Sequence, residues 1–178
     1  MSFRYEIRLS GAGGQGLILI GKILAEAAAI YDNKNATQSQ SYGPEARGGA
    51  SRSEVIISDD DIDFPKAMNI DLLLAMTQEA VDKYTDDVKE NGIVIVDSNF
   101  VRNVPDGNYS VHSYPITEIA EEKIGRKIVA NIIALGAMER LSKIVSEDAI
   151  INAIRARVPK GTEEMNIKAF RAGQDMVK

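Results

Sequence analysis

The sequence predicts an α/β fold: a single Rossmann-like three-layer domain with a mostly parallel sheet, spanning all 178 residues. Residues 3–9 alternate apolar and charged side chains, which is the period of a strand, and the glycine-rich run 11–16 follows at once. Apolar and small residues then recur over 17–28 at a spacing of about 3.6 residues, which predicts a helix. Two nearly continuous apolar runs, 70–76 and 92–97, are typical of strands buried on both faces.

The polar stretch from Tyr31 to Gly49 has no periodicity, and its Asn, Ser, Gly and Pro residues indicate a connection. A short strand is predicted at 54–57. The pattern over 78–89 predicts a helix between the two buried strands, and strand–helix–strand at this spacing indicates a parallel crossover. A weaker strand is expected at 109–112.

The rest of the chain is predicted to be helical. Residues 127–141 are apolar on most faces, so this helix is expected to be buried. Thr117, Ser146 and Thr162 each precede a glutamate, which predicts three N-capped helix starts.

The composition excludes several function classes. A net charge of -5 without a basic stripe argues against nucleic-acid binding. No stretch approaches about 18 consecutive apolar residues, and the N-terminus lacks the regions of a signal peptide, so we expect a cytoplasmic protein with no membrane span. The chain has no Cys and one His, His112, which leaves no material for an iron–sulfur cluster or a multi-His metal site. We therefore predict no metal site and no catalytic residue in this chain.

The run Gly-Ala-Gly-Gly-Gln-Gly over residues 11–16 satisfies G-x-G-x-x-G between a predicted strand and a predicted helix. Gly11 is expected to permit the tight turn, Gly13 the close approach of a ligand, and Gly16 the packing of the helix on the sheet. A helix N-terminus presents free N–H groups and a positive dipole, so an anion is favoured there.

A dinucleotide site also requires an acidic residue about 20 residues further on, at the end of the second strand. Residues 34–40 contain no acidic residue, and Asp32 lies in the predicted connection. Binding of NAD(P) and a turn that binds nothing therefore stand as alternatives to an anion site.

A second concentrated motif, Gln-Ser-Tyr-Gly-Pro-Glu-Ala-Arg-Gly-Gly, occupies residues 40–49. Gly48 and Gly49 let the backbone bend beside Arg47, whose guanidinium is a permanently charged donor. Such a loop suits recognition of a phosphate or carboxylate, and an internal ion pair is the equal alternative. The acidic run from Ser58 to Asp63 lacks the glycine and terminal glutamate of a calcium loop and is predicted to be a solvated turn.

Together the two motifs resemble the gamma subunit of the 2-oxoacid:ferredoxin oxidoreductases. The resemblance continues through residues 53–58, 71–75, 129–137 and 166–173, and so extends over nearly the whole chain. It implies a coenzyme A-acylating oxidative decarboxylation of a 2-oxoacid, with electrons passed to ferredoxin. The form of the second motif resembles the 2-oxoglutarate-type members most.

The resemblance also implies the cofactors and partners. The complex is expected to use thiamine diphosphate, magnesium, iron–sulfur clusters and coenzyme A, none of the cofactors being bound by this chain alone. The partners implied are alpha and beta subunits, with delta where present, and ferredoxin through the complex. Exposed apolar patches meant for these partners would also allow a homodimer of the isolated chain.

The residues expected to face coenzyme A, another anion or a partner come from both loops: Gly11, Gly13, Gly14, Gln15, Gly16, Tyr42, Arg47, Gly48 and Gly49. Two other functions remain open at this point, a stand-alone nucleotide-dependent oxidoreductase and a purely structural assembly module. Asn131, on the predicted buried helix, is expected to bond a loop or the sheet edge.

Overall fold

A computed structural model describes residues 3–42 and 50–178. The strands of the sheet are β1 (Arg4–Ala12), β2 (Asn35–Tyr42), β3 (Ala50–Ser58), β4 (Ile70–Ala75), β5 (Val88–Asp97) and β6 (Ser110–Tyr114). They form one six-stranded sheet in the order β2-β3-β1-β4-β5-β6. β1, β4, β5 and β6 pair in parallel, whereas β3 runs antiparallel between β2 and β1.

The α-helices are α1 (Leu17–Glu26), α2 (Gln78–Tyr84), α3 (Ile116–Ile119), α4 (Ala130–Ser142), α5 (Glu147–Arg157) and α6 (Glu163–Met176). Five-residue π-helical turns follow α1 and α3, and three-residue 3₁₀ turns follow α2 and precede α4.

The two faces of the sheet carry separate cores. Helices α1, α4, α5 and α6 pack on one face, where Ile7, Leu9 and Leu72 are fully buried. Helix α2 packs on the other face against Leu73 and Val94. The predicted three-layer α/β fold with a mostly parallel sheet is therefore confirmed.

The prediction of a connection from Tyr31 to Gly49 was wrong for its middle part, because β2 occupies Asn35–Tyr42. This strand is at the edge of the sheet, so neither of its faces needs an apolar row, and only Ala36 in it is aliphatic. Backbone pairing with β3 along its whole length forms the strand. The short strand predicted at 54–57 extends over the matching partner residues Ala50–Ser58.

The predicted helix 78–89 ends early. Helix α2 stops at Tyr84, a 3₁₀ turn follows, and Val88 already belongs to β5. The parallel pair joined by this helix is confirmed. Its register shifts near the start of β5, where Asn91 has a φ of 64°.

One of the three predicted caps is confirmed: the Ser146 hydroxyl accepts a hydrogen bond from the Ala149 N–H at 3.2 Å. Helix α3 instead begins at Ile116, and the buried Asp97 carboxylate accepts from the N–H groups of Ile116 and Thr117. Thr162 is at the N-cap position of α6, but its hydroxyl donates to the Pro159 carbonyl at 2.6 Å. A carboxylate from a distant strand replaces the local cap in α3 because it satisfies two helix N–H groups at once.

Helices α4 and α6 approach closely where two glycines face each other. A Cβ on Gly136 would overlap the Phe170 carbonyl, and a Cβ on Gly173 would overlap the Ile133 carbonyl. Both obstacles are backbone atoms, so they cannot move aside as a flexible side chain could. This contact fixes the position of α4 relative to the rest of the helical layer.

Gly173→Ala is expected to lower the free energy of unfolding by about 3 kcal/mol, since the added methyl overpacks a backbone contact. Urea denaturation of the isolated chain measures this change. Asp175→Ala places the same side chain on the exposed face of α6 and is expected to change stability by less than about 0.5 kcal/mol. Equal effects of the two substitutions would contradict the close α4–α6 contact.

Candidate functional site

The glycine run lies at the carboxyl end of β1, beside the carboxyl end of the parallel neighbour β4. The chain leaves β1 through α1 on one face of the sheet and leaves β4 through α2 on the other. These two connections lead to strands on opposite sides of the β1–β4 pair. The position is thus a topological switch point, where open α/β sheets form a crevice for ligands.

The turn itself is formed by the last four residues of the run. Gly14 and Gly16 adopt left-handed backbone angles, with φ of 86° and 74°, and α1 begins directly after Gly16. This conformation is open to glycine at little cost and strained for other residues. The first N–H groups of any helix lack partners within it. The turn therefore delivers the N-terminus of a ten-residue helix to the crevice.

Gly11 has a different role from the one predicted, because it lies within β1, which continues to Ala12. A Cβ on Gly11 would overlap the Gln15 side-chain oxygen and approach Leu17 Cδ1 and Met76 Cβ at 3.0 Å. Gly11 therefore leaves room for the loop to fold back over the strand end. The tight turn comes two residues later.

The side chain of Gln15 holds the loop against the sheet. Its Oε1 accepts a hydrogen bond from the Ala12 N–H at 2.7 Å, and its Nε2 donates to the Met76 carbonyl at 3.4 Å. The Gln15 N–H also donates to the Ala12 carbonyl, at 3.3 Å. Gln15 thus links the ends of β1 and β4 through the loop.

Asn131, in the first turn of α4, bonds the loop from the other side. Its Nδ2 donates to the Gly16 carbonyl at 3.1 Å, and its Oδ1 accepts from the Ile132 N–H at 2.9 Å. The side chain is buried, and a Cβ on Gly16 would overlap its amide. The expectation that Asn131 bonds a loop is confirmed, and the loop is the glycine run.

Two pockets flank Gly14, which lines both of them. The first, of about 320 Å³, lies toward α6 and is mostly apolar, with Arg126 and Asn131 in its wall. The second, of about 390 Å³, lies over the end of β4 and is lined by Met76, Phe100 and Lys127 among others. Both pockets have the size range of small-molecule sites.

Ile128 separates the two pockets and is 72% exposed. Of the two neighbouring cations, Arg126 is in the wall of the first pocket and Lys127 is in the wall of the second. The Lys127 ammonium lies 3.5 Å from the Glu121 carboxylate, with both side chains exposed, so this ion pair is weak. The glycine turn therefore meets one cation in each pocket.

Sequence reasoning missed Arg126, Lys127 and Ile128 because they are more than a hundred residues from the glycine run. The single available signal was Gly125 directly before two basic residues. Gly125 has a φ of 82° and ends the π-helical turn before α4. A glycine followed by cations predicts a turn, but it does not indicate what the turn faces.

The second predicted motif falls partly outside the described residues. Arg47, Gly48 and Gly49 are outside them, and Tyr42 is described only as the last residue of β2. Ala50, the first described residue after them, pairs with Ala12 at the end of β1. The residue that follows the second motif is therefore paired with the strand end that carries the first motif.

Other candidate chemistry is sparse. His112 is on the edge strand β6, where its ring lies 3.2 Å from the Ser110 hydroxyl, and partial burial lowers its pKa below the usual value. Within residues 3–42 and 50–178, no three His, Asp or Glu side chains cluster so that they could hold a metal ion. None of the helices described is long and apolar enough to cross a membrane.

The family model described as pyruvate ferredoxin/flavodoxin oxidoreductase matches residues 6–176, which is nearly the whole chain. The chain belongs to this family. The match spans the glycine run, Asn131 and the cations beside it, so the crevice lies within the family's shared region.

Two known proteins are similar to this chain over nearly their whole length. The 2-oxoglutarate synthase subunit KorC of Methanocaldococcus jannaschii is 54% identical, with 100% of this chain and 96% of that protein aligned. The structure of a keto/oxoacid ferredoxin oxidoreductase gamma subunit from Geobacter sulfurreducens is 56% identical, has a TM-score of 0.87, and covers 97% of each chain.

The same fold also occurs within a longer protein. A 2-oxoglutarate:ferredoxin oxidoreductase from Magnetococcus marinus has a TM-score of 0.86 and a sequence identity of 22%. The aligned region covers 97% of this chain and 31% of that one. This fold therefore also forms one part of a larger chain.

The pair Gly14 and Gly16 allows a test of the Asn131 contact. Each would gain about 1 kcal/mol of left-handed strain on substitution by Ala, but only the Gly16 methyl would overlap Asn131. We expect Gly14→Ala to cost about 1 kcal/mol and Gly16→Ala about 3 kcal/mol of unfolding free energy. In an Asn131→Ala background the cost of Gly16→Ala should fall to about 1 kcal/mol, as a double-mutant cycle by urea denaturation would measure. An unchanged cost in that background would show that Asn131 is not the obstacle.

Proposed function

We propose that this chain is the gamma subunit of a 2-oxoglutarate:ferredoxin oxidoreductase, and that its glycine turn receives an anionic group of coenzyme A. The complex would convert 2-oxoglutarate and coenzyme A to the acyl-coenzyme A and carbon dioxide, with electrons passing to ferredoxin. The observation that carries the anion site is the meeting of a helix N-terminus with Arg126 and Lys127 around Gly14.

Two observations support the choice of complex and substrate. The relative KorC, aligned over its full length at 54% identity, is named a 2-oxoglutarate synthase subunit. The chain also has the Gln-Ser-Gln-Ser-Tyr-Gly-Pro-Glu-Ala-Arg motif that resembles the 2-oxoglutarate-type members. The partners in this proposal are the alpha and beta subunits, with delta where present, and ferredoxin through them.

The residues of this chain are consistent with a complex in which other subunits hold the cofactors. Iron–sulfur clusters require cysteine thiolates as ligands, and this sequence has none. In the proposal the clusters, the thiamine diphosphate and its magnesium are held by the other subunits. The gamma chain binds and orients an anion at its crevice and catalyses no step alone.

The electrostatics of the crevice favour a phosphate. Free N–H groups at the start of α1 and the helix dipole favour an anion beside Gly14. Arg126 adds a cation to the wall of one flanking pocket and Lys127 adds one to the wall of the other. Gly13, Gly14 and Gly16 bring no side chain that would block a ligand from the backbone. Gln15 contributes by holding the loop in place, since its amide and its N–H are both bonded within the turn. We propose Arg47, from the second motif, as a third cation for this anion.

Dinucleotide binding is disfavoured by the structure around the run. The strand next to β1 on the β3 side is antiparallel, so no second parallel strand ends there with a carboxylate for a ribose. Asp32, the acidic residue nearest the expected position, accepts from the Ser146 N–H and hydroxyl at 2.6 Å each. Its carboxylate therefore fixes the start of α5.

Arg126→Ala and Lys127→Ala, each in the reconstituted complex, should raise the KM for coenzyme A about tenfold. A hydrogen bond to a charged group contributes about 1.5–3 kcal/mol, and about 1.4 kcal/mol corresponds to a factor of ten. Arg47→Ala is expected to act in the same direction. Arg140→Ala, an exposed arginine in the last turn of α4, serves as the matched control and should leave the KM unchanged.

The measurement also separates the alternatives. An unchanged KM together with weakened assembly would assign the crevice to a carboxylate of a partner subunit. Saturable binding of NAD(P) to the purified chain would assign it to a dinucleotide. If Arg126→Ala, Lys127→Ala and Arg47→Ala all left the KM and the assembly unchanged, the chain would have a purely structural role.

A further inference from the structure

A segment on the face of the sheet opposite α1 is held by charged side chains. This clamped segment comprises residues 64–69 and lies just before β4. Arg4 donates to the carbonyls of Phe64 and Lys66 at 2.7 and 3.1 Å. Glu6 accepts from the N–H groups of Met68 and Asn69 at 2.7 and 2.8 Å.

Two further charged residues complete the clamp at its centre. Arg8 donates to the Ala67 carbonyl at 3.1 Å, and Glu54 accepts from the Ala67 N–H at 3.1 Å. Arg4 and Arg8 are in turn paired with Glu6 and Asp87. Every clamping side chain comes from β1 or β3, the central antiparallel pair of the sheet.

Burying the charged side chains of this clamp costs free energy. Glu6 and Arg8 are 6% and 5% exposed, and burying charge is favourable only when partners satisfy it fully. An apolar pair of strands would be the simpler solution for stability. What the charges achieve here is a fixed backbone in a segment without helix or strand.

The fixed backbone holds two large apolar side chains in solvent. Phe64 is 55% exposed and Met68 is 61% exposed, whereas Ala67 between them is buried. A backbone that is already fixed loses little entropy on association, and aromatic and methionine side chains are enriched at protein interfaces. The clamped segment therefore has the properties of a preorganised binding epitope.

The flank of the segment is acidic. Asp59, Asp60, Asp61 and Asp63 directly precede Phe64 and are all exposed. Across a twofold axis this run would face its own copy with like charge, which disfavours self-association through the surface. The complementary partner carries lysines or arginines around an apolar pocket.

We infer that the clamped segment is a docking epitope for another subunit of the oxidoreductase complex, one that presents an apolar pocket rimmed by basic residues. Phe64 and Met68 enter the pocket, and the aspartates from Asp59 to Asp63 face the basic rim. The segment precedes β4, at the amino end of that strand, so the epitope and the anion crevice occupy opposite ends of the sheet. The inference rests on the proposed function for the identity of its partner.

The test measures assembly of the complete chain with the remaining subunits, prepared without it. The double variant Phe64→Ser/Met68→Ser is expected to raise the Kd for assembly about 30-fold or more, since interface anchors carry most of the binding energy. Ile30→Ser is the matched control, because Ile30 is a similarly exposed apolar residue (68%) in the π-helical turn after α1, away from the segment. Unfolding midpoints of both variants should equal that of the wild type, because the altered side chains are exposed.

Asp60→Asn/Asp61→Asn provides a second, electrostatic measurement on the same complex. It should slow association several-fold at low salt and flatten the dependence of the association rate on salt, whereas the dissociation rate changes little. A matched isosteric change at Glu164→Gln, on the exposed start of α6, should leave the association rate unaltered.

The outcomes separate this inference from the proposed function. The docking inference would be overturned if the Phe64/Met68 variant assembled with wild-type affinity, or if Ile30→Ser weakened assembly equally. Either result would leave the gamma-subunit assignment intact. If the Phe64/Met68 variant lost only self-association, as measured by gel filtration, the segment would bind a second copy of this chain and the inference would be overturned. If the wild-type chain joined no such complex, the proposed function would fail, and the epitope would fail with it.

Discussion

The hydrogen bond from Asn131 to the Gly16 carbonyl is the contact on which the arrangement of the crevice depends. It joins the first turn of α4 to the residue that directly precedes α1, across 115 positions of sequence. Because Gly16 is held in a left-handed conformation there, the N-terminus of α1 points into the space that Arg126 and Lys127 border. The glycine contact between α4 and α6 in turn fixes where Asn131 lies.

The two faces of the sheet meet different physical demands. Aliphatic residues and four helices fill one face, and this is the layer that aligns α1 and α4 around the crevice. On the other face α2 covers a smaller apolar core, and charged residues of β1 and β3 bind the backbone before β4. Side chains alternate along β1, so Ile7 and Leu9 point to the helical face and Glu6 and Arg8 point to the opposite face.

The fold could be predicted for those elements whose own residues show a clear apolar pattern. The buried strands β4 and β5 and the amphipathic α1 have apolar patterns that local sequence reveals. β2 has no such pattern, because an edge strand is formed by its hydrogen-bonded neighbour. The start of α3 was misplaced for a related reason: Asp97, a residue of β5, supplies its cap. In both cases the stabilising partner is distant in sequence.

By itself the sequence determined the α/β class, the position of the glycine turn and the resemblance to the gamma subunits, because each depends on residues close together along the chain. Only the tertiary structure decided what surrounds the turn, namely Asn131, Arg126, Lys127 and Ile128. It also decided that Gly11 serves a strand end and Gly16 the turn. The physical reason is that the contacts of the glycine turn and the charges near it come from residues that are distant in sequence. The packing of whole helices on the sheet brings those residues to the turn.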